Sequence, residues 1–537
     1  MRVYGALVLV ALAAHTHAID ICILDAPDVK AEIENNPLGG FNIILERKGL
    51  SEVIAVVGRR TGAIKDVVQD GDVVIQFAND TTVRISSEEV VGQRNGYIIT
   101  FTWEAPKGVG LEDCVNLGTH HWYGGPQQKR QYWPIERLVL PNYSYVTKEA
   151  DNCGVAEPYW LNSEGVFYYF DKKVPLFVDQ NDLEKNAACF IAQIRSPYSS
   201  KRAKTELIYA IGIFEDVRKA HEYAVEKYLE KPLGIPDERM ITYPVWSTWA
   251  RYKRDVNHNT VLEFADEITK NGFPNSQLEI DDLWETCYGS QTVDVRRFPN
   301  MRNTVDILRA KGYRVTMWTH PFINKGCEPW YSEAKAKGTQ DLPVFIRMID
   351  KDTYWTYENG LPTLITTLLQ MNMNGYPLVL PDMIGGNGYN EPPTKELFIR
   401  WLQANTFMPS MQFSYVPWEF DNETVAISKK FVELHARYAP AIIAACRRAV
   451  SAGAPVNPPV WWIAPNDTEA HDISDEYLLG ESILVAPVIE RGARTRDVYL
   501  PAGRWLAQGD PARPVLGGDW IRDYPAPLDT LPYFVKV

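Results

Sequence analysis

The chain has no CxxC pair, and its seven cysteines (Cys22, Cys114, Cys153, Cys189, Cys287, Cys327, Cys446) are scattered, which argues against a zinc site. The odd count leaves at least one thiol outside any intrachain bridge; Cys114 with Cys153 is the expected pair. Long apolar runs are missing too. The only one, Ala6 to Ala14, is far short of the roughly twenty residues that span a bilayer, so no integral membrane segment is expected. Basic residues are outnumbered, 55 against 68 acidic, and the net charge of −13 disfavours nucleic acid or an anionic membrane as partner. There is no GxSxG elbow, P-loop, HExxH or GxGxxG after a strand, which sets aside serine esterases, nucleotide hydrolases, zinc proteases and dinucleotide enzymes. GGNGYN after Asp382 lacks the dinucleotide spacing, and the adjacent His120 and His121 are poorly spaced as ligands. No metal and no cofactor is expected.

Aromatics are plentiful, with 16 Trp and 28 Tyr, enough to fill sheet cores and also to offer flat faces with a polar handle to sugar rings. Residues 1–18 read as a secretory signal: Arg2, the short apolar core, then small residues ending at Ala18. Four sequons, at Asn79, Asn142, Asn422 and Asn466, fit an exported glycoprotein, secreted or held in the secretory lumen.

Residues 19–240 carry short β-rich runs (FNIILE, EVIAVVG, DVVIQF, YIITFTW, GVFYYF, ACFIAQI) and read as an N-terminal β-sandwich. Within it, His120 to Pro134 form a Gly- and aromatic-rich loop too long for a hairpin. From 241 to 450 the pattern alternates: YPVW, a helix, LEIDD, a helix, YRVTMWTHP, then FIRMID and YPLVLPD with helices after them, then SMQFS and a long helix from Glu423 to Ala449. That is a run of βα units, the pattern of a (β/α) barrel. Residues 451–537 return to short strands, read as a C-terminal β-sandwich domain.

Acids end three of the barrel strands: Asp281 and Asp282, then Asp350, then Asp382. A lone acid there is more often a helix cap. Three in succession, with Trp246, Trp249, Trp284, Trp318 and Trp355 at neighbouring strand ends, point to a site at the barrel mouth, where such barrels do their chemistry. Carboxylates with aromatic faces suit glycoside hydrolysis, which needs one acid to protonate the leaving oxygen and a second carboxylate to attack or to activate water.

YPVWSTWARY, LEIDD, VTMWTHPF, RMIDKDTYW, LPDMIGGN, FMPSMQFS and LGESILVAPVIERGARTRDVYLPAGRW, in that order, resemble glycoside hydrolase family 31, closest to its myogenesis-regulating glycosidase branch. The resemblance implies a retaining glycosidase acting on terminal α-linked glucose or galactose. It implies Asp350 as acid/base, and Asp281, Asp382, Trp246, Trp318 and Trp355 at the substrate, with Asp282 the other register for Asp281. Ser414 stands where many relatives have a His. The family nucleophile, an Asp on a strand close to FKFDAGE, has no counterpart, nor has the sugar-holding Arg of the strand after it. Only about twenty residues separate strand three, VTMWTHPF, from FIRMID, which resembles strand six. The count is six strands where a barrel of this class has eight, and the join falls near Gly338–Thr339. With the nucleophile strand absent, the expectation is an inactive or impaired hydrolase; the alternatives are a non-catalytic secreted carbohydrate-binding protein or an incomplete transcript.

Overall fold

The computed structural model describes residues 20–93, 95–147, 153–319, 323–330, 332 and 346–537. The signal segment and the join near Gly338–Thr339 lie outside them. The chain divides into two compact units, residues 1–126 with 132–229, and residues 127–131 with 230–537.

The first unit holds two eight-stranded sheets. Their strands alternate in burial as sheets with one covered face do: in Val29–Asn35, Val29, Ala31 and Ile33 turn inward and Lys30 and Glu32 outward. One hydrophobic cluster takes residues from both sheets, Ile33 and Ile43 from one, Phe101 and Trp103 from the other. Asp113 is buried at its edge. It accepts hydrogen bonds from Trp103 Nε1 and Tyr209 Oη, each at 2.8 Å, and from the Gly58 amide at 2.7 Å. The expected Cys114–Cys153 bridge is not formed: Cys114 is bonded to Cys189, which lies directly opposite it on the adjacent antiparallel strand. That cross-strand pairing joins positions 75 residues apart, a relation that spacing does not reveal. A second bridge joins Cys287 to Cys327.

Among the described residues the second unit has six short parallel strands of the barrel, labelled in chain order β1 (Val245–Ser247), β2 (Gln277–Ile280), β3 (Arg314–Met317), β4 (Ile346–Arg347), β5 (Val379–Leu380) and β6 (Gln412–Phe413). All pair in parallel, in two groups: β3-β2-β1-β6, and β4-β5. The Ile384 amide bonds to the Gln412 carbonyl at 2.9 Å, bringing the end of β5 beside β6. No ladder among the described residues joins β3 to β4. Three of the four residues of β2 are buried, but none of β3 is. A parallel strand is ordinarily covered on both faces, so β3 has the exposure of an edge.

The intervening helices start where the sequence provides caps. Asn257 and Thr260 form a capping box at α1 (His258–Lys270), which buries Val261, Phe264, Ala265 and Ile268, and Gly272 follows its end with φ +69°. Asn300 caps α2 (Met301–Ala310), and Thr394 caps α4 (Lys395–Asn405). Between the last two, every residue of α3 (Leu361–Met373) is buried. The closing helix α5 runs from Asn422 to Ala452, with Asp421 as cap and Gly453 in the left-handed conformation at its end. Beyond it lie a five-stranded sheet and a two-stranded one. Arg400 of α4 is wholly buried and donates to the carbonyls of Ala493, Ala526, Pro527 and Thr530, binding this C-terminal region to the barrel. Among the described residues no helix is long and apolar enough to cross a membrane.

Candidate active site

The site is built from residues that follow the C-terminal ends of β1, β2, β4 and β5. Each strand leads within three residues to a polar side chain: Thr248 directly after β1, Asp281 and Asp282 directly after β2, Asp350 three residues beyond β4, and Asp382 two beyond β5. Arg347, the last residue of β4, organises them. Its Nη1 donates to Asp350 Oδ1 at 2.5 Å, and its Nη2 to Asp382 Oδ1. Burial works against the guanidinium's charge, yet the two carboxylates more than compensate and hold it above its usual range.

Asp382 has no exposure. Its second oxygen accepts from Asn387 Nδ2 at 2.6 Å and from the Lys351 amide at 2.5 Å. Burial still dominates and pushes its carboxyl up to about 6. Asp350 moves the other way. Burial raises it, but Arg347, the Tyr389 hydroxyl that donates to Oδ2, and nearby Lys253 together bring it below the usual carboxylate range. Both of its oxygens are therefore engaged, and the charged form is the stable one. A general acid needs a carboxyl whose proton is held near the working pH. The contacts of Asp350 in this arrangement favour the anion over the acid.

Asp281 is buried below Ser247 and Thr248. Its amide bonds to Thr248 Oγ1 at 2.9 Å, and its Oδ1 accepts the Asp282 amide at 2.7 Å. Burial, with Glu279 close by, pushes it up to about 7. Glu279 comes from the interior of β2, bonds to Gln412 Nε2 at 2.8 Å, and is itself raised by burial. Asp282 lies 3.8 Å from Arg254 and shares a hydrogen bond with Tyr288, and its Oδ1 is buried with no hydrogen-bond partner among the described residues. An orphaned buried acceptor suits a ligand that brings its own hydroxyl donors.

The predicted aromatic residues divide. Trp318 and Trp355 are partly exposed. The edge of Tyr288 packs against Trp318, centroids 6.0 Å apart, and Trp284 Nε1 donates to the Trp318 carbonyl at 2.7 Å. Trp246 is placed differently from the expectation. It is wholly buried, stacked on Phe413 at 4.8 Å and edge-on to Phe264 and Phe273. Its neighbour Ser247 faces Asp281, 3.5 Å away, so the alternation along β1 turns Trp246 to the opposite face, against the helices. It is a core residue and offers no face to a sugar. Ser414 is a clamp: its hydroxyl donates to the Ser247 carbonyl at 2.9 Å and accepts the Ala250 amide at 2.6 Å.

Three residues of the site had no role in the sequence reading: Arg347, Lys253 and Tyr389. Lys253 has φ +48°, and its ammonium sits 5.1 Å from the Trp249 ring centre and 5.3 Å from that of Tyr389. Nothing local in sequence marks this cation, since its partners lie near residues 249, 350 and 389. The sequons at Asn422 and Asn466 are exposed; those at Asn79 and Asn142 are half-buried, and Asn142 Oδ1 accepts from Arg195.

Parallel barrel strands, with carboxylates gathered at their C-terminal ends beside partly exposed tryptophans, define the class as that of the (β/α)-barrel proteins. Comparison gives the family. The model described as "Glycosyl hydrolases family 31 TIM-barrel domain" matches in two parts, residues 240–362 and 348–445, and "Glycosyl hydrolase family 31 C-terminal domain" matches residues 453–537. The myogenesis-regulating glycosidase of Mus musculus is 30% identical over 636 residues, which cover 95% of this chain and 88% of that protein. The SITS-binding protein of Tetronarce californica is 24% identical, covering 80% and 76%. Among solved structures, a family 31 sulfoquinovosidase from E. rectale in complex with an aza-sugar inhibitor superposes with a TM-score of 0.71 at 14% identity, covering 98% of this chain and 97% of that one. A Flavobacterium johnsoniae dextranase complexed with glucose gives 0.66 at 16%, covering 98% and 80%. The chain belongs to glycoside hydrolase family 31.

Proposed function

We propose that this chain binds terminal α-linked glucose or galactose at the barrel mouth and is inactive or strongly impaired in hydrolysing it, because its barrel lacks two βα units and with them the nucleophile strand. The observation that carries this reading is the state of Asp350. The one acid that the resemblance assigns to catalysis is paired with Arg347 through one oxygen and capped by Tyr389 on the other, contacts that favour its charged form. Protonation of a leaving oxygen then lacks its donor, and attack lacks a second carboxylate on the far face of the sugar.

Three findings support the shortened barrel. Six parallel strands are present among the described residues, and β3 has the exposure of an edge. The family's barrel model matches in two parts that overlap at residues 348–362, as it would if an internal stretch were missing. The alignment with the mouse protein runs over 636 residues while using 95% of this 537-residue chain, about 510, so more than a hundred of its positions face no residue here. The two eight-stranded sheets with a shared core support the N-terminal sandwich.

Sugar binding survives in this reading because Asp281, Asp282, Trp318 and Trp355 remain at the mouth. Calorimetry with methyl α-glucoside and methyl α-galactoside is expected to show saturable binding of at least one. Replacing Asp281 or Asp282 with Asn is expected to weaken it about tenfold, the equivalent of about 1.4 kcal/mol. Absence of binding by both glycosides removes the proposal.

We also propose export through the secretory route, with glycans at the exposed Asn422 and Asn466. Protein recovered from eukaryotic culture medium is expected to lose mass on peptide-N-glycosidase treatment; retention in the cell with unchanged mass would count against it.

A further inference from the structure

We infer that Tyr389 is a removable plug on Asp350, and that a sugar hydroxyl entering the site must take the carboxylate oxygen that the Tyr389 phenol now occupies. Asp350 has two oxygens and both are used: Oδ1 by Arg347, Oδ2 by Tyr389. Arg347 is fixed at the other end by Asp382, which is enclosed and holds three donors of its own. The Arg347 contact is thus built into the barrel. The Tyr389 contact is not.

The loop after β5 explains the difference. Its first part is fastened down. Asn387 bonds through its amide to the Lys351 carbonyl at 3.0 Å and through its side chain to Asp382. Thr353 Oγ1 donates to the Gly385 carbonyl and accepts the Gly388 amide, each at 2.9 Å. Gly386 and Gly388 have φ of +80° and +60°, and a Cβ on Gly388 would collide with the Tyr415 hydroxyl, so the turn runs tight against its neighbours. From Tyr389 to Pro392 the chain is exposed. Tyr389 itself is half exposed; its ring meets Trp249 edge-on with centroids 6.4 Å apart, and Lys253 lies 5.3 Å from its centre. Rotating this one side chain outward breaks its hydrogen bond to Asp350 and leaves the backbone anchors intact. The vacated space is bounded by Trp249 and Lys253, an aromatic face beside a donor, which suits a sugar ring with a hydroxyl directed at Asp350.

Tyr389 is therefore a positioning residue that decides whether Asp350 is available. The competition with sugar rests on the binding reading above; the plug itself does not, and two measurements on the full chain separate them. The first compares the native protein with Tyr389→Phe, which removes only the hydroxyl. Both are treated with a water-soluble carbodiimide and glycine ethyl ester, and labelling of Asp350 is followed by peptide mass spectrometry against the exposed Asp70 as internal reference. Loss of the plug is expected to raise Asp350 labelling several-fold with Asp70 unchanged; equal Asp350 labelling in the two proteins overturns the proposal. The second is calorimetry with methyl α-glucoside and methyl α-galactoside, for which Tyr389→Phe is expected to bind three- to tenfold more tightly. Increased labelling with unchanged or weaker affinity overturns the competition between phenol and sugar. If neither protein binds a glycoside, sugar binding fails while the labelling result still decides the plug.

Discussion

Replacing Arg347 with methionine is expected to cost about 3–5 kcal/mol of stability at pH 8, the range for removing one partner of a buried ion pair. Methionine approximates the length of the arginine stem, so lost packing contributes little. What the substitution removes is the counter-charge of Asp382, which has no exposure and would be left with one Asn side chain and one amide for two oxygens. The loss should depend on pH in a definite direction. A carboxyl whose pKa is higher in the folded than in the unfolded chain binds more protons when folded, so its contribution to stability is present at low pH and lost as pH rises through the folded value. Asp382 already sits at about 6 with Arg347 in place. Without the guanidinium it rises further, and below that value it is neutral and needs no partner. The destabilisation of Arg347→Met should therefore be largest at pH 8 and shrink by half or more at pH 5, measured by denaturant unfolding at the two values. A penalty equal at both would mean that Arg347 acts through packing, and that the ion-pair account of the site is wrong.

Much of this architecture was legible in the sequence because it rests on local rules. The order sheet, barrel, sheet followed from the change from two-residue to helical periodicity. The six barrel strands could be counted, and each acid could be placed at a strand end. The failures came where the answer depends on space. The strand VWS is buried on both faces, so nothing in its residues told that Trp246 turns toward Phe413 and Ser247 toward Asp281. Cys114 faces Cys189 only because their strands become neighbours. Arg347 opens the motif RMIDKDTYW, but its role is not visible there, since one of its partners is 35 residues away. Its pairing bears on the chemistry: the acid that resemblance made the proton donor is bound by a neighbour three residues before it, which favours its charged form. Tyr389 lies in a glycine-rich loop whose path no periodicity describes.

The proposed shortening of the barrel and the pairing of Asp350 with Arg347 lead to one functional consequence. A nucleophile that acts as part of a catalytic unit carries most of that unit's rate, with losses on the order of ten-thousandfold or more when such a residue is removed. In the proposed reading the nucleophile strand is missing and Asp350 is held by Arg347 and Tyr389, so no second route to the same transition state is in place. The direct measurement is release of nitrophenol from nitrophenyl α-glucoside and nitrophenyl α-galactoside between pH 4 and 8, by the native chain and by Asp350→Asn. The account predicts no release above the buffer rate at any pH, with the two proteins indistinguishable. Saturable release by the native chain that disappears in Asp350→Asn would contradict it, and would mean that Asp350 has both a proton to give and a partner across the sugar.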